Sequence, residues 1–208
     1  MTQTERRLYL IAALLKEQPQ FSKIEIPSDK LEQKRLLRSL FNIRMPKPVT
    51  EEFLMVQNAY LKEETRRKGI TELSDLEPVS KEIYLWRGDI TTLKCDAIVN
   101  AANSEMLGCF CPNHGCIDNA IHTFAGVQLR LACRDLMKQQ GHEEETGKAK
   151  ITPAFNLPSR YVIHTVGPIV YGGLTKRYKE ETQSEIEVIF NVFKELDYNI
   201  YKRLLKAD

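Results

Sequence analysis

The sequence predicts an α/β domain behind a helical N-terminal segment, and three observations carry that prediction. From Glu82 onward, apolar runs of strand length alternate with helical stretches: Ile83-Tyr84-Leu85-Trp86, Asp96 to Asn100, then a helix over Ile117 to Gln139. Before Pro78, helix start and stop signals dominate instead. Late in the chain the alternation resumes, with a strand over Val188 to Phe193 and a closing amphipathic helix over Leu196 to Leu205.

Each element has its own signals. Thr4 can cap a helix running through Leu8, Ile11, Leu14 and Leu15, and Asp29 with Glu32 has capping-box spacing before Leu36, Leu37 and Leu40. A third helix starts at Thr50 and stops at Gly69, with Arg66, Arg67 and Lys68 against its negative end. No residue in these helices suggests chemistry, so residues 1–78 read as an extension for packing and partner binding, and 79–208 as the main domain. Within the latter, Ala149 to Phe155 and Tyr161 to Val166 are two strands joined by the turn Asn156-Leu157-Pro158-Ser159. A mixed sheet is expected.

With 208 residues, 42% hydrophobic and 28% charged, the chain can build one good core plus an appendage. A formal charge of +2, with basic residues interspersed among acidic ones, gives no electrostatic case for a nucleic-acid partner. The five cysteines are odd in number and three fall within eight residues, which argues against a secreted disulfide framework. Arg6 and Arg7 before Leu8 to Leu15 imitate a signal peptide, but Lys16-Glu17-Gln18 stands where small residues should follow. That apolar run is also too short to span a bilayer. A cytoplasmic protein with no membrane partner is expected.

The chemistry concentrates in Cys109-Phe-Cys-Pro-Asn-His114-Gly-Cys116, where thiols and an imidazole share one short loop. Thiolate and imidazole are the ligands zinc prefers, and three of them with one open position is the pattern of a catalytic site. Buried cysteines and a packed loop histidine would account for the same residues. Cys111 can replace Cys109 in the set, and His122 or Cys133 can supply a fourth ligand. Asp118 falls in the first turn of the next helix, where the free amides already favour a carboxylate, and where it can also hold a water or hydroxyl beside a metal. His122, one turn on, reads as a packing or supporting histidine. Two further segments, Arg87-Gly88-Asp89-Ile90-Thr91 and Asn100-Ala101-Ala102-Asn103-Ser104, follow strands, where open α/β sheets bind ligands.

Three segments together resemble the macrodomain family of ADP-ribose-binding modules: Gly88-Asp89-Ile90-Thr91, Asp96-Ala97-Ile98-Val99-Asn100-Ala101-Ala102-Asn103, and Tyr161-Val162-Ile163-His164-Thr165-Val166-Gly167-Pro168. The insertion from Gly108 to His122 is similar to the zinc-containing branch, microbial protein-ADP-ribosyl hydrolases with a helical N-terminal extension. The resemblance implies a three-layer α/β/α fold with a mixed sheet and a Zn2+ cofactor. In it Asp89 would bind the adenine amino group, Ile90 would line that pocket and Asn103 would contact the distal ribose. Cys109, His114 and Cys116 would hold zinc against that ribose, and Asp118 would assist at the anomeric carbon. The implied substrate is a mono-ADP-ribosylated protein, by resemblance one carrying a lipoyl-type domain modified on acidic residues.

The chain departs from that pattern late. No glycine occurs in the thirty-five residues after Gly173, whereas a diphosphate needs close backbone approach, usually through a glycine-rich turn. The family's second loop, with Ser/Thr-Gly and an aromatic residue, has no counterpart. Leu174-Thr-Lys-Arg resembles the start of the family's next helix and Ile186 to Leu205 its last strand and helix, so the join falls within Tyr178 to Ser184. A stretch on the order of 60 residues is then missing between about 177 and 186, leaving the fold incomplete. A degenerate copy, a sequence joined across a missing segment and a native short form would all produce it. Three functions compete: an ADP-ribosyl hydrolase of reduced activity, a reader that binds without turnover, and an inactive remnant.

Overall fold

In the computed structural model, residues 1–21, 23–167 and 184–206 are described. Helix α1 spans Gln3–Glu17 and is capped by Thr2, not by Thr4 as its sequence suggested. The Thr2 hydroxyl accepts from the Glu5 N–H at 3.2 Å, and the Glu5 carboxylate accepts from the Thr2 N–H at 2.7 Å. Thr4 has Arg7 three residues on and cannot close that reciprocal pair. Helix α2, Lys30–Ile43, starts at Asp29, whose carboxylate accepts from the N–H groups of Leu31 and Glu32; α3, Glu51–Lys68, lies between Thr50 and Gly69 as expected. Leu10, Ile11, Leu14, Leu37, Leu40 and Leu61 are almost wholly buried between the three helices, each contributing about 1.5–3 kcal/mol of apolar burial. Val127, from the following domain, closes this core.

Strands and helices then alternate: β1 Thr71–Glu72, β2 Pro78–Ser80, β3 Ile83–Arg87, β4 Leu93–Lys94, β5 Ala97–Ala102, α4 Ile117–Ala125, α5 Val127–Gln140, β6 Ala149–Pro153, β7 Tyr161–Val166, β8 Val188–Val192 and α6 Glu195–Lys206. The helix expected over Ile117 to Gln139 is thus two, broken at Gly126 with φ +92°. A Cβ there would lie 2.7 Å from Gln57 Nε2. Gln57 itself takes up the break by accepting from the Val127 N–H at 3.0 Å. Glycine alone meets both the dihedral and the close approach.

Among the described residues the strands form two three-stranded sheets, β2-β3-β8 and β5-β7-β6, and a short parallel pair β1-β4. Both larger sheets are mixed, with β3/β8 and β5/β7 parallel and β2/β3 and β6/β7 antiparallel. The period of two sorts the faces of β5-β7-β6. Ile98, Asn100, Val162, His164 and Thr152 are buried on one face, in a core closed by Ile121, Leu129 and Cys133 of α4 and α5. On the other, Val99 and Ile151 stand in register either side of Ile163 and are 52% and 57% exposed. Leu205 of α6 packs with Ile83, Leu85 and Val192 on the second sheet. The helix start read at Leu174 and the join read within Tyr178 to Ser184 lie outside the described residues, apart from Ser184.

Candidate active site

Three loops gather beyond the ends of β3 and β5. After β3, Asp89 caps a short 3-10 turn over Ile90–Thr92. Its Oδ1 accepts from the Thr91 N–H at 3.0 Å and the Thr91 hydroxyl at 2.6 Å, while Oδ2 accepts from Lys68 Nζ at 2.8 Å. Burial would raise the Asp89 pKa, but the bonds from Lys68 and Thr91 outweigh it and hold the carboxyl below its usual value. A carboxylate has about four lone-pair sites, so the half-exposed group can accept one more donor. Lys68 reaches it from the last turn of α3 with its ammonium 3.3 Å from the Phe124 ring centroid. Ile90 packs against the core of the β5-β7-β6 sheet.

After β5, Asn103 turns back and its Nδ2 donates to the Gly108 carbonyl at 3.4 Å. Gly108 has φ +82°, and a Cβ there would come within 2.7 Å of the His122 ring. The loop backbone thus lies directly on His122, a contact only glycine permits. Beyond it the ligand atoms of Cys109, His114 and Cys116 lie within 4.8 Å of one another. Cys109 Sγ and His114 Nδ1 are 3.6 Å apart. Cys116 is also the N-cap of α4, its Sγ accepting from the Asn119 N–H at 3.4 Å. Burial holds the Cys116 thiol above its ordinary pKa, partly offset by that amide. The exposed His114 opens the cluster to solvent and the exposed Cys111 stands outside it, so the structure groups Cys109 rather than Cys111 with the other two.

Asp118 lies deeper than its first-turn position suggested. It is 6% exposed, and Oδ1 accepts from Asn100 Nδ2 at 2.8 Å. Burial raises its pKa above the ordinary carboxylate value. His122 Nε2 is 3.5 Å away, too long and too poorly aligned for a hydrogen bond, and both His122 ring nitrogens lack partners among the described residues. His122 also belongs to a second, wholly buried cluster with Cys133 and His164. There, burial pushes the Cys133 thiol up to about 12. His164 is already engaged through both ring nitrogens, with Asn100 Nδ2 at 3.2 Å and Thr152 Oγ1 at 3.0 Å. The two clusters differ in access: the loop cluster reaches solvent through His114, whereas the Cys133 and His164 side chains of the second are buried and His164 is bonded at both nitrogens.

Burial lowers the His164 pKa from 6.5 to about 4. The native state keeps this ring neutral while the unfolded chain protonates it, so the unfolded state binds more protons in this window. The associated stability is complete above pH 6.5 and is lost as the pH falls toward 4, by on the order of 3 kcal/mol. Urea unfolding of the metal-free chain should show this slope, and His164→Gln should reduce it, the remainder coming from buried His122, whose pKa burial also lowers.

A cavity of about 620 Å³ lies elsewhere, between α2, α3 and α4, with Leu37, Arg38, Phe41, Tyr60 and Phe124 in its walls. Asn113 alone belongs both to this cavity and to the Cys109–Cys116 loop, and none of Asp89, Asn103 and Asp118 lines it. Sequence reasoning missed Arg38, Asn42 and Arg130 around the loop because their partners are distant in sequence, and gave Asn119 no role although its loop partners Cys109 and Cys111 are ten and eight residues away. It also missed Lys68 as a partner of Asp89.

The comparisons with known proteins agree with this architecture. Residues 99–201 match the Macro domain family. The Protein-ADP-ribose hydrolase of Treponema medium is 61% identical over 181 residues, which cover 85% of this chain and 69% of that protein. That of Staphylococcus aureus (strain MRSA252) is 38% identical over 253 positions, covering 96% and 95%. The Trypanosoma brucei macrodomain in complex with ADP-ribose superposes with a TM-score of 0.58 at 24% identity, over 81% of this chain and 94% of that one, a likeness of fold. The three-layer α/β/α arrangement with mixed sheets and N-terminal helices is that of a macrodomain. The chain belongs to the macrodomain family, on its protein-ADP-ribose hydrolase branch. No helix among the described residues is long and apolar enough to cross a membrane.

Proposed function

We propose that the chain is a zinc-dependent hydrolase that removes mono-ADP-ribose from modified proteins, with turnover reduced by a shortened C-terminal half. The observation that carries the reading is the convergence of Cys109, His114 and Cys116 ligand atoms within 4.8 Å, next to the loop that follows β5. The donor set fits zinc, being two soft thiols and one imidazole nitrogen with a solvent-facing side left for a substrate oxygen. Zinc bound there would polarise a ribose hydroxyl or a water.

The chain's own residues would do the rest. Asp89, fixed by Lys68 and Thr91, would accept from the adenine amino group, with Ile90 along the same pocket. Asn103 would turn its amide from the Gly108 carbonyl to the distal ribose. Asp118, oriented by Asn100, would hold a hydroxyl or water near the anomeric carbon. The names of the relatives support a protein-linked ADP-ribose as substrate, and resemblance points to a lipoyl-domain protein as its carrier.

Two observations fit an internal stretch missing from the chain. The alignment with the Staphylococcus aureus protein runs over 253 positions, more than the 208 residues of this chain, and so opens gaps in it. The apolar face of β5-β7-β6 carrying Val99 and Ile151 is uncovered among the described residues, as expected if a covering element is missing.

Asp89→Ala removes a charge-assisted hydrogen bond worth roughly 1.5–3 kcal/mol, so ADP-ribose should bind at least about tenfold more weakly. Calorimetry on both proteins checks this. Equal affinities would remove Asp89 from the adenine pocket.

A further inference from the structure

The N-terminal helices reach into the metal loop. Arg38 of α2 donates from Nε and Nη2 to Asn119 Oδ1, at 3.3 and 2.8 Å, and from Nη2 to the His114 carbonyl at 2.9 Å. Asn119 is fully buried and relays the hold, its Nδ2 donating to the carbonyls of Cys111 and Cys109 at 3.0 and 3.5 Å. With Oδ1 taken by the guanidinium, the amide can face the loop only with its donor side. One turn along α2, Asn42 Oδ1 accepts from the Asn113 N–H at 2.9 Å, and Nδ2 donates to Thr123 Oγ1 at 2.9 Å. Arg130 braces the other side, donating to the Leu107 carbonyl at 2.7 Å and to the carbonyls of Phe41, Asn42 and Arg44 at 3.2, 2.8 and 2.6 Å.

The backbone of residues 107, 109, 111, 113 and 114 is thus held by side chains of α2, α4 and α5. The candidate ligand side chains add weaker sulfur contacts: Cys109 Sγ lies 3.6 Å from His114 Nδ1, and Cys116 Sγ accepts from the Asn119 N–H at 3.4 Å. Ordering a loop costs roughly 1–2 kcal/mol per residue, and a loop ordered beforehand does not draw that cost from metal binding.

We propose that Arg38, acting through Asn119, is a positioning residue that presets the Cys109–Cys116 loop for its metal. The N-terminal extension is on this account a working part of the site. The proposal rests on the zinc reading above for its metal and on the hydrogen-bond network alone for its geometry.

The test uses the full chain and the variants Arg38→Met, Arg38→Lys and Asn119→Asp. The last keeps an acceptor for Arg38 but removes the donor to the loop carbonyls. Zinc affinity is measured by chelator competition, the cobalt(II) spectrum reports ligand geometry, and hydrogen exchange of the metal-free chain reports loop order. Arg38→Met and Asn119→Asp should weaken zinc binding by roughly tenfold to a hundredfold and shift the cobalt spectrum. Exchange should quicken at residues 109–116 while the Leu10–Leu14 and Leu129–Cys133 segments stay protected. Arg38→Lys should fall between, since an ammonium cannot make the forked bond. Wild-type zinc affinity in Arg38→Met, or exchange quickening equally throughout, would overturn the proposal. If wild type takes up no zinc, the zinc reading fails separately, and loop exchange still decides whether Arg38 holds the loop.

Discussion

His114→Ala and Cys116→Ala should each yield protein without zinc and with turnover of modified protein reduced on the order of a hundredfold or more. Each removes one of three ligands whose atoms lie within 4.8 Å of one another, and two ligands on one loop do not compensate for the third. His114 is exposed, so the unfolding midpoint of metal-free His114→Ala should stay close to wild type, whereas Cys116→Ala also loses the N-cap of α4 and should unfold somewhat earlier. Cys133→Ala is the contrasting variant. It lies in the buried cluster with His122 and His164, and burial keeps its thiol protonated far above neutral pH. It should cost stability through lost packing and leave zinc in place, as elemental analysis of the three variants would show. Loss of zinc from Cys133→Ala, with retention in His114→Ala, would move the metal to the buried cluster.

The second large effect is a gain. A version of the chain carrying a glycine-containing loop between Arg177 and Ile186 should turn over ADP-ribosylated protein about a hundredfold faster at equal zinc occupancy. Misplacing a substrate by about 1 Å costs on that order. In the family such a loop offers amide donors to the diphosphate and closes over the ribose. Zinc content should not change, because Cys109, His114 and Cys116 all lie upstream of the added loop. Side-by-side rate measurements with zinc assayed on both proteins check this. Comparable rates would mean that the loops after β3 and β5 make a competent site without it.

How much of this was legible in the sequence depended on the range of each interaction. The grouping of Cys109, His114 and Cys116 could be read because the three are close in sequence, and α3 because Thr50 and Gly69 mark its ends within the chain's own next turn. The strands β3, β5, β6, β7 and β8 followed from short apolar runs, whereas the two-residue β1 and β4 and the short β2 were not read. Gly126 was not legible as a helix break, because apolar spacing continues across it and what forces the turn is Gln57, some seventy residues upstream in sequence. The same holds for Arg38, whose partners His114 and Asn119 are 76 and 81 residues away. Thr2 was passed over for Thr4, although Glu5 three residues after Thr2 was the deciding signal. Burial was also hidden, since a first-turn position says nothing of the Asn100 amide placed against the Asp118 carboxylate from another element.

The most direct measurement of the account combines metal content with activity on the wild-type chain. Elemental analysis of protein purified under reducing conditions should find about one zinc per chain. Release of ADP-ribose from a mono-ADP-ribosylated protein should stop on chelation and return when zinc is restored. Turnover that continues at wild-type rate in metal-free protein, or a chain that never takes up zinc, would contradict it.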